Sequence, residues 1–460
     1  MRVRALALVA LLAAAGACTS DDDGTATPTG RSPSTVAASG AQSVVPETSA
    51  ATGSTTTADA GSDQARRALD EVVDWFADPA TADPAAFADV FLQEVPIEQL
   101  RQILSEIGPG AWTAVGVESI APGAVAARLE GPGPPLLVQL QVDAQGLIAG
   151  LMFQPAELTD APADLAGLVQ RIEATAPIAG FLRADVAPDG SCSPVAELAS
   201  TELLPIGSAF KLYVLGAVAS MIEAGELGWD DPVVIRDELD SLPSGETQDD
   251  PAGSTQSVRE LATRMISISD NTATDHLIDV VGRGRVEEAL VTLGHGDPAA
   301  TTPMLTTREM FVIKTDPGLL ARYHAADAAA RRGLLDGEVA AAPLPSVADF
   351  PSGPTAVTTV EWFASPADLC RALVTLDDLA GQPGLEPVRA VLSDNPSAAT
   401  EGDFERILFK GGSEPGVLFA GWLATRPDGS RIVVTGGVAD ETAPIDPHAL
   451  QLLALGLTLS

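Results

Sequence analysis

The chain has 460 residues, of which 46% are hydrophobic, and a prior of about 150 residues per domain gives two or three domains. Its formal net charge is −37. This acidity argues against a nucleic-acid partner, because phosphate binding requires clustered Lys and Arg, and against docking on anionic lipid by charge alone. We interpret the charge as a property of a solvated surface.

The first eighteen residues have the pattern of a lipoprotein signal peptide. Arg2 and Arg4 precede an apolar run, residues 5–15, that is too short for a committed membrane span. Small residues then lead directly to Cys18, which predicts cleavage before Cys18 and lipidation of it. The alternative is a secreted protein cut near Ala17. We expect an exported protein held at the outer face of the cell membrane by its lipid anchor only.

Residues 19–63 consist mainly of Ser, Thr, Ala, Gly, Pro and Asp, which predicts a disordered linker. Helical periodicity follows at Leu69–Phe76 and Ile97–Ile107. Four runs of strand-forming residues, joined by Gly/Pro turns, come next. Helices followed by a meander of strands predict a small α+β domain over residues 64–155.

Residues 156–460 predict a second, larger domain of the α/β class. Its ends carry helices and strands in a symmetrical order, at 165–172, 179–186, 194–198, 417–425, 431–438 and 448–457. The middle of the segment is mostly helical. We expect the terminal strands to pair in one antiparallel sheet flanked by helices, with a helical lobe inserted between them.

Lysine and asparagine are rare in this chain, and their positions are informative. Lysine occurs only at Lys211, Lys314 and Lys410, and asparagine only at Asn271 and Asn395. Two of these lysines and one asparagine belong to three short motifs, which are SAFK at 208–211, SDN at 269–271 and KGG at 410–412.

The first two motifs contain the residue types of a base-activated serine. A serine hydroxyl is a weak nucleophile until a base takes its proton, and Lys211 lies one helical turn after Ser208, on the same face. Burial and the second cation, Lys410, would lower the pKa of Lys211 so that it can act as this base. We expect Ser269 to relay the proton and Asn271 to contact both the substrate and Lys211.

The third motif predicts a glycine-rich strand edge that a substrate can approach closely. Gly412 and Ser413 are the candidate substrate-binding residues, and the backbone amides of Ser208 and Ser413 are candidate oxyanion-hole donors. Each motif also has a structural interpretation. The first motif could be a helix start with an incidental lysine, the second a helix N-cap, and the third a weakened edge strand.

In this order the motifs resemble the S-x-x-K, S-D-N and K-[T/S]-G boxes of the penicillin-recognising serine enzymes. The segment from about residue 160 is similar to class A β-lactamases and D-alanyl-D-alanine peptidases. The resemblance implies a β-lactamase/transpeptidase-like fold that needs no cofactor or metal. Its catalytic residues would be Ser208, Lys211, Ser269, Asn271 and Lys410.

Two longer stretches, SISDNTATDHL and FKGGSEPGVL, also resemble the serine hydrolases of clavulanic-acid clusters and their actinobacterial relatives. That resemblance implies an isomerase-like N-terminal domain and weak esterase action.

The chain departs from the class A pattern in three places. Gly411 stands where a Thr or Ser normally contacts the substrate carboxylate, with Ser413 as the alternative hydroxyl. No Glu lies four residues before an Asn, so the deacylating glutamate is missing, and Glu309 and Glu361 are the candidate replacements. An insertion around 310–360 lengthens the spacing between the second and third motifs. These departures predict slow turnover of β-lactams.

The sequence therefore predicts a serine hydrolase that acts through an acyl-enzyme on β-lactams or related small esters and amides. A D-Ala-D-Ala peptidase and a non-catalytic penicillin-binding-type lipoprotein remain as alternatives. The four histidines have no metal-ligand spacing, so no zinc site is expected. Cys192 and Cys370 are an even pair, for which a disulfide is permitted. The oligomeric state stays open.

Overall fold

The computed structural model describes residues 56–459 apart from 109, 122, 133–134, 157, 159, 347–348, 352, 395–403 and 447. The predicted signal peptide, the lipidation site Cys18 and the linker as far as residue 55 lie outside the described residues. From residue 56 onward the chain forms two compact units that divide between Gln154 and Pro155. Each unit has its own hydrophobic core. Within the part of the chain that the structure describes, no helix is long and apolar enough to cross a bilayer.

The first unit consists of three helices followed by a meander of four strands. Its elements are α1 (Thr56–Trp75), α2 (Asp89–Glu94), α3 (Ile97–Ile107), β1 (Thr113–Ala121), β2 (Ala124–Glu130), β3 (Leu136–Val142) and β4 (Ile148–Pro155). The strands lie in the order β1-β2-β3-β4. Helix α1 packs on the sheet through Ala65, Leu69 and Val72, which recur at helical spacing and are buried. The order of elements is that of an α+β unit, and the likeness to isomerases stays a prediction.

Helix α1 begins at Thr56, eight residues before the predicted start of order. Residues 56–63 therefore continue the helix, where the sequence predicted the end of a linker. Once its first turns are formed, a helix extends at little cost in free energy, because each added residue adds one hydrogen bond. The buried turns after Ala65 supply that nucleus, so the preceding residues need no apolar face of their own.

The second unit combines a five-stranded sheet with a large helical lobe. Its helices are α4 (Leu165–Glu173), α5 (Lys211–Glu223), α6 (Val258–Ser267), α7 (Asn271–Val281), α8 (Arg283–Thr292), α9 (Thr307–Thr315), α10 (Pro317–Ala325), α11 (Ala328–Leu334), α12 (Pro366–Leu379), α13 (Glu386–Ser393) and α14 (His448–Leu455). Its strands are β5 (Ile178–Val186), β6 (Cys192–Leu198), β7 (Leu204–Pro205), β8 (Pro232–Val234), β9 (Thr255–Ser257), β10 (Phe363–Ala364), β11 (Arg406–Glu414), β12 (Val417–Thr425) and β13 (Arg431–Ala439). The predicted insertion around 310–360 includes helices α10 and α11 and the end of α9.

The main sheet joins the two ends of this unit. Its strand order is β11-β12-β13-β5-β6, and all four neighbouring pairs are antiparallel. The pairing of β13 with β5 runs without a break from Ile432 with Asp185 to Ala439 with Ile178. Strand β11, which carries the third motif, therefore lies at one edge of the sheet, and the helical lobe is inserted between β7 and β11.

Both faces of the sheet are covered, because successive side chains of a strand point to opposite sides. On β13, Val433 belongs to the core shared with the helical lobe, whereas its neighbours Ile432 and Val434 belong to the core shared with α4 and α14. This three-layer arrangement accounts for the unbroken apolar run of the central strands.

A disulfide joins Cys192 to Cys370, with their Cα atoms 6.5 Å apart. It connects β6, at the other edge of the sheet, to helix α12. The pairing that the sequence left open is therefore formed, and it closes a loop of 178 residues. A cross-link over so long a loop stabilises the fold mainly by restricting the unfolded chain.

Candidate active site

Ser208 lies in a tight turn at the start of the central helix of the lobe. Residues Gly207–Phe210 form one turn of 3₁₀-helix, and α5 continues from Lys211. Gly207 has φ +48°, a left-handed conformation that favours glycine. The ring of Phe210 stacks on Trp362 with centroids 3.8 Å apart. This packing fixes the turn and leaves Ser208 half-buried.

Lys211 is fully buried, and its ammonium group reaches the second motif. Its Nζ donates to Ser269 O at 2.6 Å, to Asn271 Oδ1 at 2.7 Å and to Ser269 Oγ at 3.2 Å. Burial lowers the pKa of Lys211 to about 7, although the charges of Asp270 and Asp275 oppose the shift. A lysine of this pKa is partly neutral at physiological pH and can act as a base.

The second motif divides its tasks among its three residues. Asp270 is the N-cap of α7 and accepts from Ala273 N at 2.8 Å. Because Asp270 caps the helix, Ser269 and Asn271 are left to contact Lys211. Ser269 adopts φ +58°, a conformation that is unusual for serine and typical of functional turns. Capping and the predicted chemistry are therefore compatible here.

Lys410 approaches the same serine from the sheet. It is buried on β11, and its Nζ donates to Ser269 Oγ at 3.0 Å and to Gly411 O at 2.7 Å. Burial, followed by repulsion from Lys211, holds the pKa of Lys410 well below its usual value. Repulsion between two amines is mutual, so it favours the loss of a proton from either of them. Ser269 Oγ thus lies between the two amines.

The glycines of the third motif allow β11 to pack against the Ser208 turn. A Cβ on Gly412 would lie 2.2 Å from Ile206 O and 2.4 Å from Ser208 N, so no other residue fits there. A Cβ on Gly207 would lie 3.0 Å from Ser413 N. The backbone segments that carry the Ser208 and Ser413 amides are consequently neighbours, as an oxyanion hole requires.

Gly411, the main departure from the third box, has a local cause. A Cβ at this position would lie 3.1 Å from Cζ of Phe409 and 3.3 Å from Phe419 O. A threonine would therefore require the Phe409 ring to move. Ser413, the alternative hydroxyl, is exposed on the strand edge.

The two glutamates considered for deacylation are both engaged in the structure. Glu309 pairs with Arg283 through both carboxylate oxygens, at 2.6 and 2.9 Å, and forms the capping box of α9 with Thr306. Glu361 is buried, and its Oε2 accepts from Gly207 N at 3.3 Å and from Trp362 N at 2.6 Å. Glu309 is thus structural, and Glu361 supports the turn that carries the nucleophile. Nothing in the sequence pairs residue 361 with residue 207.

Among the described residues, no group of three or more His, Cys, Asp or Glu is arranged to hold a metal ion. Three of the histidines instead hydrogen-bond the backbone. His276 contacts Thr272 O, His295 contacts Phe363 O, and His448 contacts Ala156 O.

Comparison with known proteins places this site in a family. Residues 185–340 match the model of the β-lactamase enzyme family, Beta-lactamase2. This segment includes Ser208 and Ser269, and Lys410 lies beyond it. This match and the three motifs support the β-lactamase/transpeptidase-like superfamily for the second unit. The predicted superfamily and α/β fold class are therefore confirmed.

Several solved structures are similar to this chain. A β-lactamase from Sphaerobacter thermophilus DSM 20745 covers 64% of this chain and 95% of its own, with 22% identity and a TM-score of 0.46. PBP-A covers 65% of this chain and 96% of its own, with 18% identity and a TM-score of 0.44. An ancestral class A β-lactamase covers 64% and 95%, with 18% identity and a TM-score of 0.45. No curated protein matches the chain.

Proposed function

We propose that this protein is a serine hydrolase that is acylated at Ser208 by β-lactams or by small esters and amides of similar shape. The observation that carries the proposal is the position of Ser269 Oγ, 3.2 Å from Nζ of Lys211 and 3.0 Å from Nζ of Lys410. Because both buried amines are within hydrogen-bond distance of the Ser269 hydroxyl, a proton can pass from one amine to the other through it. A lysine with a purely structural role would not require this arrangement.

The hydrogen bonds of Lys211 support its role as the base. A neutral amine has two N–H groups and one lone pair. Ser269 O and Asn271 Oδ1 accept the two N–H groups. The lone pair of neutral Lys211 is then available to a hydroxyl. Ser269 Oγ lies 3.2 Å from Nζ, and Ser208 lies three residues earlier in the tight turn before Lys211.

Acylation would proceed in two steps. The Ser208 Oγ attacks the carbonyl carbon while its proton passes to Lys211 Nζ, and the resulting oxyanion is held by the Ser208 and Ser413 amides. The C–N or C–O bond then breaks as the leaving atom receives a proton through Ser269 Oγ. The product is an ester on Ser208, which water hydrolyses to release the acid.

The release step is expected to be slow for β-lactams. Glu309 is held by Arg283, and Glu361 accepts hydrogen bonds from two backbone amides. Both side chains are also buried, so neither carboxylate is exposed to solvent water in the manner of a base that activates it. This favours a weak β-lactamase or esterase, and it also keeps a penicillin-binding role as the second candidate.

The test is the mass of the intact protein after brief exposure to penicillin G and an acid quench. Wild type should gain the mass of the intact penicillin, and Ser208→Ala should not. Decay of the adduct within minutes would mark a hydrolase, and an adduct that persists for hours would mark a penicillin-binding protein. If no adduct forms with lactams or activated esters at any quench time, the proposed function is wrong.

We also propose that the protein is exported and anchored through a lipid on Cys18. The support is the signal-like sequence of residues 1–18. Cys18→Ala should move the protein from the membrane fraction to the soluble fraction. An unchanged distribution would contradict the anchor.

A further inference from the structure

The third lysine of the chain, Lys314, has no role in the chemistry above. It lies in α9, and its side chain is 3% exposed. Its Nζ is 2.5 Å from Oε1 of Glu414, whose side chain is 11% exposed. A buried ion pair is costly to form, because both charges lose water. Its position therefore calls for an explanation beyond general stability.

Glu361 extends this pair into a network of three residues. The carboxyl groups of Glu361 and Glu414 lie close enough for each to change the pKa of the other. The Oε1 atom of Glu361 is buried and has no hydrogen-bond partner among the described residues. Two carboxyls can share a hydrogen bond only if one of them holds a proton. Burial first, and the Glu414 charge second, raise the pKa of Glu361 to about 8, so the pair retains one proton at neutral pH.

The network touches the two backbone segments that form the candidate oxyanion hole. Glu361 Oε2 accepts from Gly207 N, directly before Ser208. Glu414 directly follows Ser413 on β11. Because the Gly207 turn and β11 are in close contact, a shift of either carboxyl would change the relative position of the Ser208 and Ser413 amides.

We propose that Lys314, Glu414 and Glu361 position these two amides, with one carboxyl holding each segment and the lysine balancing the remaining charge. The three are positioning residues, and the inference rests on the proposed acyl-enzyme function. Oxyanion-hole donors stabilise the transition state only when they point at the oxygen on which charge develops. Their positions must therefore be fixed before the reaction begins.

Glu361 can be tested with a matched pair of substitutions. Glu361→Gln keeps an oxygen that accepts from Gly207 N and Trp362 N, and its NH₂ can donate to Glu414 as the protonated acid does. Glu361→Leu removes both. We expect Glu361→Gln to be acylated within about threefold of the wild-type rate. Glu361→Leu should be slower by about 10- to 100-fold, less than the 10²–10³ that accompanies complete loss of one donor.

The decay of the adduct separates positioning from base catalysis. If Glu361 were the deacylating base, Glu361→Gln would form the adduct normally and fail to release it. Positioning predicts that release from Glu361→Gln stays near the wild-type rate. An adduct that persists only in Glu361→Gln would therefore overturn the proposal.

Hydrogen exchange provides a readout that does not depend on acylation. The amides of residues 207–209 and 412–414 should exchange faster in Glu361→Leu and at the wild-type rate in Glu361→Gln. Glu338→Leu, which removes an exposed glutamate of the same lobe, should change neither quantity and serves as the control. If Glu361→Leu does not fold, Glu361→Asn replaces it, because the shorter amide cannot reach both backbone partners.

The outcomes are distinct. If wild type forms no adduct, the proposed function is wrong. Hydrogen exchange would still decide whether the network holds the two backbone segments. Acylation and exchange of Glu361→Leu both at wild-type rates would show that the network does not position them.

Discussion

The structure buries all three lysines of the chain, in two contrasting environments. Lys211 and Lys410 meet neutral oxygens, from Ser269, Asn271 and a backbone carbonyl. Lys314 meets a carboxylate, that of Glu414. In the first environment burial acts on the amines, and the pKa of each is lowered. In the second, burial acts on the carboxyls, and it raises the pKa of Glu414.

The difference shows how one domain can place the same residue type in two different roles. A buried amine with neutral partners is unstable as a cation, and it becomes a base. A buried amine with a carboxylate partner stays charged and fixes the elements around it. The first arrangement reduces the stability of the fold and the second constrains its geometry, so substitutions at Lys211 and Lys314 should have opposite consequences.

The largest expected effect is on the rate of acylation in Lys211→Met. Loss of the base should slow adduct formation by about 10²- to 10⁴-fold, the usual contribution of general acid–base catalysis. Methionine fills the space of the lysine side chain and removes a buried amine that destabilises the fold, so the melting temperature should stay the same or rise. Time-resolved acid quench gives the rate, and calorimetry gives the melting temperature. A variant acylated at the wild-type rate would mean that another group accepts the Ser208 proton.

The reverse pattern is expected for Lys314→Met. Removing one partner of a buried pair leaves an uncompensated charge, which costs about 3–5 kcal/mol of unfolding free energy. Denaturant unfolding of wild type and variant measures the loss. In Lys314→Met combined with Glu414→Gln no unpaired charge remains, so much of the stability should return. Equal losses in the single and double variants would show that packing, and not charge, is responsible.

The sequence predicted most of the residues of the candidate site and none of the supporting network. Ser208, Lys211 and Asn271 are recognisable because their motifs are local, and local spacing determines which side chains share a helical turn. The contacts of Glu361 with Gly207, and of Lys314 with Glu414, join residues 154 and 100 positions apart. No periodicity reports such pairs. The start of α1 at Thr56 was missed for a different reason, since its first residues have a linker-like composition.

The contrast between the lysines also predicts how acylation depends on pH. The base must be neutral, and the pKa of Lys211 is lowered to about 7. The rate of adduct formation should therefore rise by about tenfold per pH unit below pH 7 and level off above it. Rates measured between pH 5.5 and 8.5 with a substrate that does not titrate in this range would show the midpoint. A rate that still rises tenfold per pH unit at pH 8.5 would mean that Lys211 stays charged at neutral pH.

The last expected effect is on the pH dependence of stability, and it concerns Glu361. Burial raises its pKa to about 8 in the folded chain, from the ordinary value of 4.5 that applies to the unfolded chain. Between these values the folded state holds a proton that the unfolded state has lost. The contribution of Glu361 to stability is therefore complete below pH 4.5 and is lost as pH rises toward 8, by at most about 1.4 kcal/mol per pH unit.

Glu361→Gln isolates this contribution, because its amide is neutral at every pH. Other buried carboxyls, such as Asp275 with its pKa raised to about 7 by burial, give a slope of the same sign in both proteins. The difference in unfolding free energy between Glu361→Gln and wild type should consequently grow in favour of the variant from pH 5 to pH 8. A constant difference over this range would mean that Glu361 is already ionised at pH 5. In that case a hydrogen bond between the two carboxyls would need its proton on Glu414, and Lys314 would balance the charge of Glu361 instead of that of Glu414.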